Sequence, residues 1–340
     1  MSIIMTGGGT GGHLAIIKAV KEQLKEEDLV YIGSTKGQDK LWFEEDEDFS
    51  QQYFLETRGL VNQGYLAKVK SFWMLLKATK KALTLLKKHQ AKVVFCVGGF
   101  SAAATSFAAK ILGIPLVIHE QNAALGSLNK LLKPYAKVFI SSYLEESPIK
   151  AYPVKQVFFE QAHVRESLET IIFLGGSQGA KAINTLALDM AEGLKERGIK
   201  IIHQAGAKNI EEVQKAYASL GVEAEVFGFT TKLSEYMNEA DFAIARSGAS
   251  TLWELCASAV PTLYIPYPYA ASDHQFYNAQ FLVEKNLAWL MREKDIDLEK
   301  VWALLEEDLA IKSRELKESI EAEGSKQIAL VLKKYLVKNI

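Results

Sequence analysis

Little in this chain points to a covalent framework or to a membrane span. Only two cysteines are present, Cys96 and Cys256, and both stand in apolar surroundings. A disulfide scaffold and a thiolate zinc site are therefore excluded, and both thiols read as buried small hydrophobes. Neither sign of charge is in excess, with 40 basic against 41 acidic side chains. One long uncharged run, Val93 to Ala109, has 17 residues and is broken by Gly98, Gly99, Ser101, Thr105 and Ser106. A span needs about 20 predominantly apolar residues, so this run reads as a buried strand, a loop and a helix start. The opening Ser2-Ile3-Ile4-Met5 meets a glycine loop with neither a basic leader nor an apolar helix, so no targeting segment is expected. With 49% hydrophobic and 24% charged residues, disordered, collagenous and mucin-like chains are excluded as well. A cytoplasmic globular protein that does not cross a membrane is expected.

What is present is a doubled α/β pattern over 340 residues, a length that suggests two domains. Apolar β-branched runs at 2–6, 29–32, 93–97, 116–119 and 138–140 alternate with helical stretches. The pattern resumes at 170–174, 199–204, 224–227, 242–245 and 262–265. Such continuous apolar strands between helices predict parallel sheets covered on both faces. The stretch 145–165, with Pro148 and Pro153, reads as a linker, and 298–336 as helix with Gly324 as a break. The expected domains are 1–160, 161–324 and a C-terminal helix, 325–340, packed back on the first. Both halves open alike: Ile3-Ile4-Met5-Thr6 leads into Gly7-Gly8-Gly9-Thr10-Gly11-Gly12-His13, and Ile171-Ile172-Phe173-Leu174 into Gly175-Gly176-Ser177-Gln178-Gly179. Two strand–glycine loop–helix units predict two Rossmann-like domains facing across a cleft.

The first loop formally matches a dinucleotide fingerprint. However, the second strand runs into Gly33-Ser34-Thr35-Lys36, without the carboxylate that would hold a ribose diol, and no Gly-Lys-Ser/Thr ending marks a P-loop. An NAD(P)-dependent oxidoreductase therefore becomes the secondary reading. His13, at the junction of loop and helix, is a candidate general base; the alternative is a histidine that merely caps the turn. Arg246-Ser247-Gly248-Ala249-Ser250-Thr251-Leu252-Trp253-Glu254 follows a strand and opens a helix, so its backbone N–H groups suit a diphosphate. Thr251 and Glu254 are equally spaced as a capping box. Asp273-His274-Gln275-Phe276-Tyr277-Asn278 and the strand-end cluster His119-Glu120-Gln121-Asn122 place amides and carboxylates where hydroxyl-rich ligands bind. The triplets Asp46-Glu47-Asp48 and Asp295-Ile296-Asp297 read as solvated charge, and no metal is expected.

Residues 1–160 carry 20 basic and 15 acidic side chains, and no acid lies between Glu56 and Glu120. In 66–88 the apolar residues Val69, Phe72, Trp73, Leu76 and Leu83 share one helical stripe, while Met74, Leu75, Ala82 and Leu85 fall elsewhere among seven lysines. The pattern suits an interfacial helix on anionic lipid; a core helix with a solvated lysine face fits it too. Nucleic acid is not expected, because the second half is acidic.

Taken in order, Gly8-Gly9-Thr10-Gly11-Gly12-His13, Gly113-Ile114-Pro115-Leu116-Val117-Ile118-His119-Glu120-Gln121-Asn122, Gly175-Gly176-Ser177-Gln178-Gly179-Ala180 and Arg246-Ser247-Gly248-Ala249 resemble the MurG family of glycosyltransferases. The resemblance implies a GT-B fold and inverting transfer of N-acetylglucosamine from UDP-N-acetylglucosamine to an undecaprenyl-linked muramyl-pentapeptide. It also implies action on the inner face of the bacterial plasma membrane, in peptidoglycan synthesis, without a cofactor. Another UDP-sugar-dependent lipid glycosyltransferase would differ only in acceptor. Carried over by position, Thr10, Gly11 and Gly12 lie by the transferred sugar and its phosphates, with His13 or Glu120 as base. Asn122 touches the donor sugar, Ser177 the diphosphate, Arg165 lies at the domain junction, and Thr230 meets the uracil. Ala249, Ser250, Thr251, Leu252, Trp253 and Glu254 form the phosphate and ribose site, with Glu254 on the ribose, and Gln275 holds sugar hydroxyls. The chain departs from that pattern at Ile16, at Ala162-His163 and at Leu60-Val61-Asn62-Gln63.

Overall fold

A computed structural model describes residues 1–59, 65–176 and 179–337, with backbone alone over 65–69. The chain divides into two compact units: Met1–Lys155 together with the segment from Ala322 onward, and Gln156–Glu321. The divisions lie five residues before the expected first boundary and three before the second, because a short helix at Gln156–Glu160 occupies part of the expected linker.

The first unit contains β1 (Ile3–Thr6), α1 (Gly11–Lys21), β2 (Leu29–Ser34), α2 (Asp39–Phe43), β3 (Gln51–Leu55), α3 (Tyr65–Lys88), β4 (Val93–Cys96), α4 (Ala103–Leu112), β5 (Leu116–Glu120), α5 (Ser127–Leu132) and β6 (Val138–Ser141). All neighbouring strands pair in parallel in the order β3-β2-β1-β4-β5-β6. Ile3, Ile4 and Met5 are fully buried, as a strand covered on both faces requires. β3 escapes the apolar pattern because it begins Gln51-Gln52 at the sheet edge.

The second unit contains α6 (Gln156–Glu160), β7 (Thr170–Leu174), α7 (Lys181–Glu196), β8 (Lys200–Gln204), α8 (Ile210–Ser219), β9 (Glu225–Phe227), α9 (Leu233–Glu239), β10 (Phe242–Ala245), α10 (Ala249–Ala257), β11 (Thr262–Tyr264), α11 (His274–Val283), β12 (Trp289–Leu290), α12 (Leu298–Leu305) and α13 (Leu309–Ser319). Its sheet runs β12-β11-β10-β7-β8-β9, again parallel. Its core gathers Ile171, Phe173, Met190, Leu194, Phe242 and Ile244.

The expected C-terminal helix is three helices. Asp297 caps α12 through the Glu299 and Lys300 amides, and Asp308 caps α13 through Ala310. α14 (Gly324–Lys333) then returns to the first unit, where the Ser325 hydroxyl donates to Val154 O (2.9 Å) and Lys333 pairs with Glu27. Gly324 permits this return: a Cβ there would lie 2.5 Å from Tyr152 O and 2.6 Å from Ala151 O.

In each sheet the strand order reverses beside the first strand of the unit, between β1 and β4 and between β7 and β10. Such reversals open a crevice at the carboxyl ends of the strands. Both glycine loops lie there.

Candidate functional site

In the first unit three loops meet backbone to backbone. A Cβ on Gly99 would stand 2.3 Å from Gly8 O, and one on Gly37 would stand 2.6 Å from the Gly9 Cα; both glycines also have positive φ. Beneath the loop, the fully buried Asp39 collects its donors. Its Oδ2 accepts from the Gly9 amide (2.7 Å), and its Oδ1 from the Ser34 amide (2.9 Å) and the Tyr31 hydroxyl (3.0 Å). Burial, then the neighbouring carboxylate, raises the Tyr31 pKa well above its ordinary value. Sequence reading missed Asp39, which follows the end of β2 by five residues on the first turn of a short helix.

α1 starts at Gly11 with Thr10 in the N-cap position. The Thr10 hydroxyl lies 2.9 Å from His13 Nδ1. The Gln121 amide nitrogen lies across the ring, 3.1 Å from Nε2 and 3.4 Å from Nδ1. Thus β1's glycine loop and the end of β5 hold one half-buried imidazole between them, with Gly11 and Gly12 opening the helix that carries it.

The neighbouring Glu120 is buried, and its carboxylate is committed to its own loop. Oε1 accepts from the Asn122 amide (3.0 Å), and Oε2 from the Gly126 amide (2.9 Å) and Asn129 Nδ2 (3.0 Å). His119, fully buried and edge-on to Tyr152, has its pKa pushed down to about 3, first by burial and then by His13.

In the second unit the loop after β7 carries Gly176, whose amide donates to Gln204 Oε1 (3.1 Å); Ser177 lies outside the described residues. Behind it runs a buried chain. Asn184 Nδ2 donates to Ala205 O (3.2 Å), so its Oδ1 accepts from His203 Nε2 (3.1 Å), and His203 Nδ1 accepts from the Tyr217 hydroxyl (3.0 Å). This neutral ring has its pKa lowered by burial to about 4.

After β10, Arg246 donates to Ile265 O and Pro266 O (both 3.0 Å) and pairs with Glu293. It braces the segment that delivers Gly248 to the start of α10. Gly248 is the extended N-cap, and no side chain caps the helix. The first turn, Ala249-Ser250-Thr251, therefore directs its backbone N–H groups outward beyond the strand end, an arrangement that favours an anion. Leu252 and Trp253 are buried and anchor the helix, while Glu254 is half-buried one turn further on. Gln275 lies beside Gly248, its Oε1 accepting from the Tyr267 amide (2.9 Å), and Asn278 Nδ2 donates to Ser247 O (3.2 Å). α10 and the start of α11 thus converge on one strand end. Thr230, half-buried in the turn after β9, accepts from the Lys232 amide (3.0 Å).

Residues 3–140 match the model of the glycosyltransferase family 28 N-terminal domain, and residues 170–334 that of the family's C-terminal domain. The chain belongs to glycosyltransferase family 28. A relative from Sulfurovum sp. (strain NBC37-1) is 73% identical over 98% of this chain and 99% of its own. One from Wolinella succinogenes is 50% identical over 92% and 94%. Both are named UDP-N-acetylglucosamine--N-acetylmuramyl-(pentapeptide) pyrophosphoryl-undecaprenol N-acetylglucosamine transferase. The crystal structure of Acinetobacter baumannii MurG aligns with a TM-score of 0.79 at 26% identity, covering 98% of this chain and 99% of that one. The calicheamicin glycosyltransferase CalG4 shares the fold, with a TM-score of 0.69 at 14% identity over 100% and 99% of the two chains.

For this family 28 chain the structure corrects several expectations. Arg165 is not presented to a ligand. It is 1% exposed, and its guanidinium donates to the carbonyls of Ala240, His163, Ser258, Met237 and Asn238. Five N–H donors are thereby used, and burial lowers its pKa to about 10. Glu120 clamps the 121–126 loop, because both of its oxygens accept from that loop or from Asn129. The capping box fails because α10 starts at Ala249, which puts Thr251 inside the first turn. Asp46 and Asp48 are not simply solvated: both hold the buried Lys21 at 2.6 Å.

The apolar stripe of α3 is divided, for Leu83 packs against the core. Its core face is Ala78, Ala82, Leu85 and Leu86, packed with Ala104, Ala108 and Ala109 of α4, whereas Phe72, Trp73 and Leu76 are exposed. Alanines let two helices approach closely, and aromatic rings on that face would hold them apart. Val69, expected on the same stripe, lies outside the described side chains, as do Leu60-Val61-Asn62-Gln63.

Proposed function

We propose that this chain transfers N-acetylglucosamine from UDP-N-acetylglucosamine to the 4-hydroxyl of an undecaprenyl-pyrophosphoryl-N-acetylmuramyl-pentapeptide, with inversion and release of UDP. The observation that carries this reading is the 73% identity, over nearly the whole length of both chains, to a relative so named. The site supports it in two parts. The first turn of α10, with Glu254 and Gln275 nearby, suits the diphosphate, ribose and sugar hydroxyls of the donor. A helix N-terminus also stabilises the negative charge that grows on the departing diphosphate. In the first unit, His13 accepts the proton of the attacking hydroxyl, with Thr10 beside its ring, and Asn122 touches the donor sugar. Ser177 and Thr230 complete the donor contacts.

The acceptor is lipid-linked, so the first unit is the membrane-facing one. Among the described residues no helix is long and apolar enough to cross a membrane. The exposed Phe72, Trp73 and Leu76, beside exposed Lys70, Lys77, Lys80 and Lys81, suit peripheral attachment to anionic lipid on the cytoplasmic face.

The deciding experiment supplies labelled UDP-N-acetylglucosamine and a short-chain muramyl-pentapeptide pyrophosphoryl lipid, with a chelator present. Transfer of label to the lipid is expected. Tight UDP binding without transfer would retain the donor site and reject this acceptor.

A further inference from the structure

Thr10 occupies the N-cap of α1 with extended backbone angles, φ −132° and ψ 153°, yet its hydroxyl makes no cap bond. An N-cap threonine ordinarily spends that oxygen on an amide of the first helical turn. Here it lies 2.9 Å from His13 Nδ1, while the Gln121 amide nitrogen lies across the same ring. We propose that Thr10 is a positioning residue that acts through His13: its Oγ1 accepts a hydrogen bond from Nδ1–H, so that Nε2, which accepts from the Gln121 side-chain amide in the resting site, is the nitrogen that takes the proton of the attacking hydroxyl.

This rests on the reading of His13 as the base. In the displacement, the attacking hydroxyl replaces the Gln121 N–H at Nε2, its O–H breaks and Nε2–H forms. The oxygen bonds to the sugar C1, and the C1–O bond to the diphosphate breaks with its electron pair leaving on UDP. The Nδ1 proton stays on Nδ1, hydrogen-bonded to Thr10 Oγ1, throughout, so the ring does not turn during transfer. An oriented base of this kind follows the logic by which a third group fixes a catalytic imidazole.

The test compares Thr10→Val and Thr10→Ser in the full chain. In ¹⁵N spectra of the neutral ring, wild-type His13 is expected to carry its proton on Nδ1. In T10V the proton should move toward Nε2, the site an isolated imidazole prefers. kcat should fall roughly 10–100-fold, and T10S should restore both the spectrum and the rate. Because the hydroxyl caps nothing, T10V should melt with the wild type, whereas loss of a true cap would lower Tm by about 2–4 °C.

A wild-type proton on Nε2, an unchanged His13 spectrum in T10V, or a retained kcat would each overturn the proposal. Thr10→Ala gives the same readings should valine prevent folding. His13→Ala with wild-type transfer would instead sink the base assignment, leaving the tautomer measurement to judge Thr10 alone.

Discussion

At the scale of single residues, partners decide roles that residue types leave open. His13 and Glu120 are both plausible bases by chemistry. Glu120 is bound to three donors of its own neighbourhood, and His13, at the start of a helix, has its ring between the Thr10 hydroxyl and the Gln121 amide. His13→Ala should lower transfer by about 10²–10⁴-fold with UDP affinity kept; calorimetry of UDP binding alongside the transfer assay checks both halves. Arg165 illustrates the opposite fate, a cation whose every donor is spent inside the fold. Arg165→Met would strand five carbonyls and should destabilise the second unit by roughly 3 kcal/mol or more, measured by urea unfolding. UDP affinity of the still-folded variant should be unchanged, and a tenfold loss would return Arg165 to the binding site.

At the scale of elements, α3 shows what periodicity reports and what it leaves undecided. Hydrophobic spacing marked a helix with more apolar surface than one face needs. It did not reveal that small Ala78 and Ala82 face α4 while Phe72, Trp73 and Leu76 face outward. Two tests separate these faces. Ala82→Leu inserts three carbons into a fully buried contact and should cost about 1–3 kcal/mol without altering membrane affinity. Charge reversal at Lys80, Lys81, Lys87 and Lys88 should weaken sedimentation with anionic vesicles and leave Tm nearly unchanged; undiminished binding would reject α3 as the anchor.

At the scale of the whole molecule, each unit buries a neutral histidine. His119 and His203 have pKa values near 3 and 4 in the fold, against 6.5 for the ordinary group. Between those values the unfolded chain binds the proton and the folded chain does not, so stability falls as pH drops below about 6.5. From pH 7 to pH 5 each ring should remove on the order of 2 kcal/mol. Thermal unfolding across that range should show a steep acid loss, shallower in His119→Phe. An unaltered slope would mean that the ring titrates normally.

The apolar strands, the two glycine loops and the α10 motif were legible in the sequence, because buried parallel strands must be continuously apolar and because loops that touch backbone to backbone must be glycine. The family resemblance lay in the same contiguous segments. Asp39 under Gly9, the Glu120 clamp, the carbonyl cage of Arg165, the buried Lys21 between Asp46 and Asp48 and the outward face of α3 were not legible. Each depends on which groups distant in the chain come to share a buried place, and a polar side chain takes its role from the partner that offsets its lost water. Local pattern reports only what the backbone must do, so it determined the framework, and tertiary contact decided which polar groups hold that framework and which remain for the substrate.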